Sequence, residues 1–332
     1  MCGIAGIVGV GGERLIGAML ESIEHRGRDD QGVWVSEAID ASERRACLGH
    51  RRLAIIDTSP GGHEPMFSHD GRYVLTFNGE IYNYRELREQ LRAGGHEFQT
   101  DSDAEVLLAA ICEWGWDALV HLNGMFAFAV WDNKERTLTL ARDHVGIKPL
   151  YYAVTPNAFI FGSEIKAILA TGLVKPELSP EALHQFLTFL WSPDPNTLFA
   201  NIKTVPPAHL LHFRADEVTL KQWWDVSFTE IDDSKDESWW RDRVLETLDR
   251  VVKLEMVADV PLGSFLSGGI DSSGIVAMME RHSNGRPIST YTVGIESEDL
   301  RYDIIPDDVQ WARRVNEQLQ TDYHEIMLQP SV

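Results

Sequence analysis

Met1-Cys2-Gly3-Ile4-Ala5-Gly6-Ile7-Val8 opens the chain, and the reading of its second residue decides the fold. A small residue at this position lets the initiator methionine be trimmed, so Cys2 reads as the mature N-terminus. Trimming leaves a thiol and an α-amino group on one residue. The amine titrates near roughly 7.7–8.0, so close to neutral pH a useful fraction is unprotonated and can take the thiol proton, directly or through water. Such a nucleophile carries its own base and needs no separate histidine. Taken alone, Cys2 also reads as a small apolar residue that starts a buried strand. The rest of the chain decides between the two.

The 332 residues leave room for two domains, and 44% hydrophobic content permits proper cores. A net charge of −21, from 30 basic and 51 acidic residues, argues against nucleic acid and anionic membrane as partners. Cys2, Cys47 and Cys112 are scattered, which gives no disulfide framework and no C-x-x-C metal pair. The histidines show no ligand spacing, so no metal ligand is assigned. No apolar run approaches the roughly 20 residues of a membrane helix, and Met1-Cys2 is not a charged signal start. The expectation is a soluble protein of the cytoplasm.

Working outward, residues 4–8 read as a buried strand and 14–25 as a helix with Leu15, Met19 and Ile23 on one face. A polar turn, His25-Arg26-Gly27-Arg28-Asp29-Asp30, comes next. Short strands are predicted over 32–35, 46–49, 53–57 and 72–77. Asn83 is placed to cap a helix over 84–93, and Ser102 or Asp103 starts another that ends near Trp114. Residues 125–131, 138–142, 150–154 and 159–161 read as strands of a second sheet. The pattern suggests two stacked sheets and not a doubly wound parallel one. Prolines at 193, 195, 206 and 207 and an acidic run over 230–237 then interrupt it. The expected organisation is a first domain over 2–215, a connector over 216–237 and a second domain over 238–332. In the last, a helix over 238–258 precedes strands over 261–266, 288–294 and 323–328, separated by helices over 271–282 and 306–319. That is the β-α-β-α-β order of a parallel sheet. Three strands are few for a nucleotide-binding sheet, so the chain is expected to be part of a longer protein.

Asn78-Gly79-Glu80 follows the strand predicted over 72–77, at a strand end where backbone amides are free. An Asn side-chain NH2 beside a Gly N–H suits a tetrahedral oxyanion, for which losing one donor typically costs on the order of a hundredfold in rate. The same pair also reads as an Asn-Gly hairpin turn. Arg52, within Gly49-His50-Arg51-Arg52-Leu53, offers a bidentate clamp for an α-carboxylate or is an exposed strand arginine. Asp103, within Asp101-Ser102-Asp103, suits an α-ammonium, a role compatible with helix capping. A thiol, an oxyanion pair, a cation and an anion together describe a pocket for an amino acid with an attackable side-chain carbonyl.

Cys2-Gly3-Ile4, the HRG-x-D turn, GHRRLAIID, NGEIYNYRELR, DSDAEV, GMFAFAVWD and RDHVGIKPLYY occur in that order within about the first 215 residues. Together they resemble the glutaminase domain of the glutamine-hydrolysing asparagine synthetases, within the class II amidotransferases. The resemblance implies an α+β fold, the N-terminal-nucleophile αββα sandwich. It implies that Cys2 attacks the amide carbon of L-glutamine and that Asn78 and Gly79 form the oxyanion hole. Arg52, Glu80 and Asp103 would hold the amino-acid end, with the backbone at Ile55 and Ile56 against the substrate. The chain departs from the family at Arg28, where the turn usually has Pro; the change adds a charge and releases the backbone.

Ser267-Gly268-Gly269-Ile270-Asp271-Ser272-Ser273 lies between a predicted strand and a predicted helix. Glycines let the backbone come close to an anion, and a helix N-terminus adds favourable partial charge. No G-K-[ST] is present here, so this is not a Walker loop; a short loop of amides and hydroxyls suits a released pyrophosphate. It resembles the PP-loop of ATP pyrophosphatases, which implies an incomplete α/β parallel-sheet domain of that kind. By this resemblance ATP meets Ser267, Gly268, Gly269 and Ser272, Leu266 and Val293 line its pocket, and Mg²⁺ accompanies it, held largely by phosphates and water. Asp271 reads either as a metal or water contact or as a helix cap.

The whole reads as glutamine-hydrolysing asparagine synthase: ammonia from L-glutamine aminates L-aspartate activated as β-aspartyl-AMP, releasing AMP and pyrophosphate. Two other readings stand beside it. One is a related amidotransferase with a different carboxylate acceptor. The other is a glutaminase alone, because the family's later S-G-x-G-x-D-E segment does not occur after Val293. The oligomeric state stays open, a homodimer included.

Overall fold

The apolar run after Cys2 becomes strand β1 (Gly3–Val10), buried at every residue except Val10. It is flanked on both edges: β3 (Arg44–Arg52) pairs antiparallel on one side with Gly3 opposite Arg51, and β9 (Ala158–Gly162) on the other. With β2 (Asp30–Val35), β8 (Tyr151–Thr155) and β10 (Lys203–Thr204) they form a sheet in the order β10-β8-β9-β1-β3-β2. A second antiparallel sheet runs β12-β11-β7-β6-β5-β4. Its strands are β4 (Met66–Phe67), β5 (Tyr73–Ile81), β6 (Gly124–Asp132), β7 (Thr137–Arg142), β11 (His209–Arg214) and β12 (Glu217–Gln222). The computed structural model describes residues 1–229, 231–295 and 308–328.

Side-chain alternation along β1 explains the layering. Ile4 and Val8 point to one face and meet Val74, Ala127, Ala129, Leu138 and Leu140 of the second sheet. Ala5 and Ile7 point to the other face, where α1 (Gly12–Ser22) presents Ile16, Met19 and Leu20, and where Ile168 of α4 (Ile165–Leu169) joins them. On the second sheet α3 (Asp103–Trp114) packs against β5, and α2 (Tyr84–Ala93) against α3. Helix, sheet, sheet, helix is the αββα sandwich that the resemblance implied.

Several local expectations are corrected. Residues 53–57 are not a strand: β3 stops at Arg52, and Asp57 turns the chain with φ 52. β8 and β9 belong to the first sheet beside β1, not to the second, because their apolar residues pack towards α1 and α4 as well as inward. Asn83 stands at the α2 N-cap position but does not cap; its side chain bonds the His121 carbonyl and the Asn123 N–H. Ser102 caps α3 through the Ala104 N–H. Leu15 is only half-buried, and Ile16 takes its place in the core. The proline-rich stretch hides a helix, α5 (Pro180–Phe189), and strands β10 to β12. β12 pairs with β11 beyond residue 215, so the first compact unit is Met1–Ser227 and the second Phe228–Val332.

The second unit holds α6 (Glu237–Glu255), β13 (Gly263–Phe265), α7 (Ile270–His282), β14 (Ser289–Ile295), α8 (Asp308–Leu319) and β15 (Asp322–Leu328). Its sheet is parallel in the order β13-β14-β15. Leu266, Val276 and Ala312 form one small core, and Val252, Met278, Met279 and Ile288 another. Residues 306 and 307, expected in the helix before β15, lie outside the described residues. Among those described, no helix is long and apolar enough to cross a membrane.

Candidate active site

Strand β5 does not end at Phe77. It continues to Ile81, so Asn78-Gly79-Glu80 is neither a strand end nor a hairpin turn. On one edge it pairs with β6, Asn78 opposite Ala127 and Gly79 opposite Phe126. On the other edge β4 reaches only to Leu75. Past that point side chains replace the missing strand. Glu64 accepts the Phe77 N–H at 2.5 Å, and Asp103 accepts the Ile81 N–H at 2.9 Å. Gly79 lies midway between them. Its opposite number, Phe126, gives its N–H to Asp143 Oδ2 and its carbonyl to the Asp143 N–H. In an antiparallel ladder this makes Gly79–Phe126 a pair that exchanges no hydrogen bonds, so the Gly79 N–H faces the same edge as those of Phe77 and Ile81. A Cβ at Gly79 would stand 2.4 Å from the Met125 carbonyl, so the strand admits only glycine there.

This edge borders a pocket that collects every residue assigned to the glutaminase site from sequence. Cys2, Arg52, Ile55, Ile56, Asn78, Gly79, Glu80 and Asp103 all line it. Asn78 is 1% exposed, and neither Nδ2 nor Oδ1 has a hydrogen-bond partner. A buried primary amide without partners is costly unless something else satisfies it. Cys2 stands at the start of β1, its Sγ 3.4 Å from the Leu53 N–H, and Arg26 Nε donates to its carbonyl at 2.8 Å. Burial pushes the Cys2 thiol up to about 11. Burial also lowers the α-amine of Met1, which lines the same pocket.

Arg52 is buried and tied to the loop it precedes. Nη1 donates to the Ser59 carbonyl at 2.8 Å, and Nη2 to the carbonyls of Asp57 and, at 3.5 Å, Ile56. It therefore holds Ile55 and Ile56 against the pocket. Three of its five N–H donors are used, which leaves Nε–H and one on Nη1. The turn around Arg28 keeps its order through its neighbours: the Asp29 N–H bonds the Arg52 carbonyl, Asp29 Oδ2 accepts the Ala54 N–H, and Asp30 meets His63 at 2.6 Å. Arg28 itself is exposed.

Three titratable side chains of the pocket carried no assignment from sequence: His50, Glu64 and Lys148. Each is a polar residue inside an otherwise apolar or turn segment, a signal too common to single out. His50 is buried, and desolvation pulls it down to about 3. Its Nε2 lies 3.0 Å from the Phe77 carbonyl, an acceptor only, so the neutral ring carries its proton on Nε2. It is not a base for Cys2. Burial raises Glu64 well above the carboxylate range, and burial with the nearby Glu80 charge takes Asp103 up to about 7.

In the second unit the Ser267–Ser273 loop runs from β13 into α7. Gly268 has φ +76, and a Cβ there would stand 2.4 Å from Trp311. Ser267 Oγ lies 3.0 Å from Ser272 Oγ, and the Gly269 N–H points to Ser267 Oγ. The α7 N-terminus has no side-chain cap, and the buried Ser273 hydroxyl has no partner. Uncapped amides beside hydroxyls fit a phosphate-bearing ligand. Asp271 is exposed and caps nothing; Val293 is 46% exposed, and the Leu266 side chain packs into the small core with Val276 and Ala312. Among the described residues no group of three His, Cys, Asp or Glu side chains is placed to hold a metal ion.

Comparison with known proteins agrees with this division. Residues 1–224 match the glutamine amidotransferase domain family, and residues 243–331 the asparagine synthase family. The chain is 38% identical to "Asparagine synthetase [glutamine-hydrolyzing] 3" of Bacillus subtilis, over 99% of this chain and 54% of that protein. It is 37% identical to "Amidase chry2" of Gibberella zeae, over 78% of this chain and 38% of that protein. The chain thus spans about half the length, or less, of these two relatives. The solved glutamine phosphoribosylpyrophosphate amidotransferase of B. subtilis shares the fold with a TM-score of 0.51 at 17% identity, over 99% of this chain and 69% of that one. The chain belongs to the glutamine amidotransferase family, with a segment of the asparagine synthase family following that domain.

Proposed function

We propose that the first unit hydrolyses L-glutamine with Cys2 as nucleophile, once Met1 is removed. The α-amine of Cys2 takes the thiol proton, and the thiolate adds to the side-chain amide carbon. The carbonyl oxygen becomes an oxyanion facing Asn78 Nδ2–H and the Gly79 N–H. Collapse expels ammonia, which takes its proton from the α-ammonium, and water hydrolyses the remaining thioester to glutamate. An N–H of Arg52 not taken by the loop carbonyls meets the substrate carboxylate, while Asp103 and Glu80 meet its ammonium beside the backbone of Ile55 and Ile56. The observation that carries this reading is the buried, unpartnered Asn78 amide in the pocket that Cys2 and Gly79 also line. A glutamine-mimicking diazoketone should label Cys2, and Cys2→Ala should abolish both labelling and ammonia release. Unchanged glutaminase activity in Cys2→Ala refutes it.

The same proposal gives the second unit ATP, with Mg²⁺ alongside, at Ser267, Gly268, Gly269, Asp271 and Ser272, near Val293. Bound ATP supplies the adenylyl group that activates a carboxylate for attack by ammonia. The chain's own residues offer amides and hydroxyls to the released pyrophosphate. With L-aspartate as acceptor the product is asparagine, the reading that the B. subtilis relative's name supports. The likeness to a protein named an amidase favours a second reading, an acceptor other than aspartate. Aspartate-dependent exchange of pyrophosphate into ATP supports the first; exchange driven by another carboxylate and not by aspartate supports the second.

A further inference from the structure

Lys148 is 3% exposed and belongs to the wall of the Cys2 pocket, yet glutamine hydrolysis by Cys2, Asn78 and Gly79 gives it no task. Its backbone is held with unusual completeness. Asp143, 1% exposed, gathers four N–H groups: Val145 and Ile147 on Oδ1, Phe126 and Lys148 on Oδ2. Arg142 Nε then bonds the Lys148 carbonyl at 2.9 Å. The loop over 143–148 is wound around one buried carboxylate, and that same carboxylate turns Phe126 away from Gly79. The oxyanion edge and Lys148 are therefore set by a single anchor.

A lysine is seldom buried without a charge to answer. Burial lowers Lys148 from the ordinary lysine value, while Glu80, Cys2 and Asp143 favour its ammonium and Arg26 opposes it. Burial likewise lowers the α-amine of Met1; Arg26 and Lys148 lower it further, against Cys2 and Glu80. At Cys2, burial first and then Glu64 and Asp103 disfavour a thiolate, while the Leu53 N–H and the N-terminal charge favour it. Of the two cations, Arg26 is shared: Nη1 meets Glu164 at 3.0 Å and Nε the Cys2 carbonyl at 2.8 Å, while its buried Nη2 has no partner. The reaction makes two demands of its surroundings: the amine must start unprotonated, and negative charge must then grow on sulfur and on the substrate oxygen. One nearby positive charge meets both.

We propose that Lys148, in the pocket wall it shares with Cys2, is a positioning residue for the N-terminal nucleophile: its ammonium keeps the α-amine left by removal of Met1 neutral and favours the negative charge that forms on Cys2 and the substrate. The inference rests on the glutaminase reading. Its test is the pH profile of kcat/KM for glutamine, with the pH profile of Cys2 alkylation by iodoacetamide measured in parallel on the full chain. In Lys148→Met the acid limb of both profiles moves up by about one pH unit, with roughly tenfold less activity below the limb and little change in KM. Lys148→Arg restores the limb. Where Lys148→Met fails to fold, Lys148→Gln is the neutral variant to compare. Unmoved limbs in a folded, neutral variant overturn the inference while leaving the Cys2 assignment standing. A wild-type chain whose Cys2 resists both reagents at every pH overturns the glutaminase reading itself.

Discussion

The carboxylate of Asp103, at the first residue of α3, accepts the backbone N–H of Ile81, at the last residue of β5, across 2.9 Å. One oxygen thus closes a sheet edge while the rest of the group faces the pocket. Burial and the Glu80 charge bring this carboxyl up to about 7. Below that pH it is neutral and offers a substrate ammonium no counter-charge; above it the charge is present. The KM for glutamine should therefore fall as pH rises through about 7, and Asp103→Asn should raise KM and flatten the dependence. Stability carries the opposite sign. The folded carboxyl keeps its proton to higher pH than the unfolded one, so its burial costs stability increasingly from the ordinary carboxylate range up to about 7. Steady-state kinetics and thermal melts across that window check both.

Asn78 should separate activity from stability. Asn78→Ala removes an oxyanion donor and should lower kcat by about 10²–10³. It also removes a buried amide that has no partner, so the melting temperature should hold or rise. Ammonia release and calorimetry on the same preparation decide. A large loss of stability would show that the amide is satisfied within the protein.

Glu64 separates acceptor from charge. Burial keeps its carboxyl protonated well above the usual range, so Glu64→Gln keeps an acceptor for the Phe77 N–H and should be nearly neutral for stability. Glu64→Leu leaves that N–H unpaired and should cost about 1–3 kcal/mol in denaturant unfolding.

In the second unit Gly268→Ala places a methyl group against Trp311 at a backbone angle that L-residues rarely adopt. Protection of this unit from limited proteolysis by Mg-ATP should be lost, with the glutaminase activity of the first unit retained. Equal protection in wild type and variant would dissociate the loop from nucleotide binding.

Much of the site was legible because its residue types are rare in combination. A cysteine at position two, Asn78-Gly79, Arg52 and Asp103 come from four separate segments, and the structure gathers them at one pocket. The direction of the Gly79 N–H was not legible. It depends on Phe126 and Asp143 from beyond α3, and on β4 stopping short, none of which local periodicity reports. The same holds for Glu64 and His50, whose partner Phe77 is distant in sequence and adjacent in space. The strand predicted over 53–57 failed for a related reason: Ile55 and Ile56 look β-forming, but Arg52 draws the neighbouring carbonyls inward. Strands β10 to β12 were obscured by the prolines around them, since a proline ends a local pattern and carries no information about the next element.

The half-covered border of β5 has a consequence for how these molecules behave in company. An exposed sheet border is an invitation to any other extended chain, and crowded solutions punish it. Here two acidic side chains have already taken the alternate donors that a stranger's strand would need. The arrangement that keeps one amide in reserve for chemistry also denies its neighbours a place to dock, so substitutions at Glu64 and Asp103 should be watched for clumping as closely as for lost turnover.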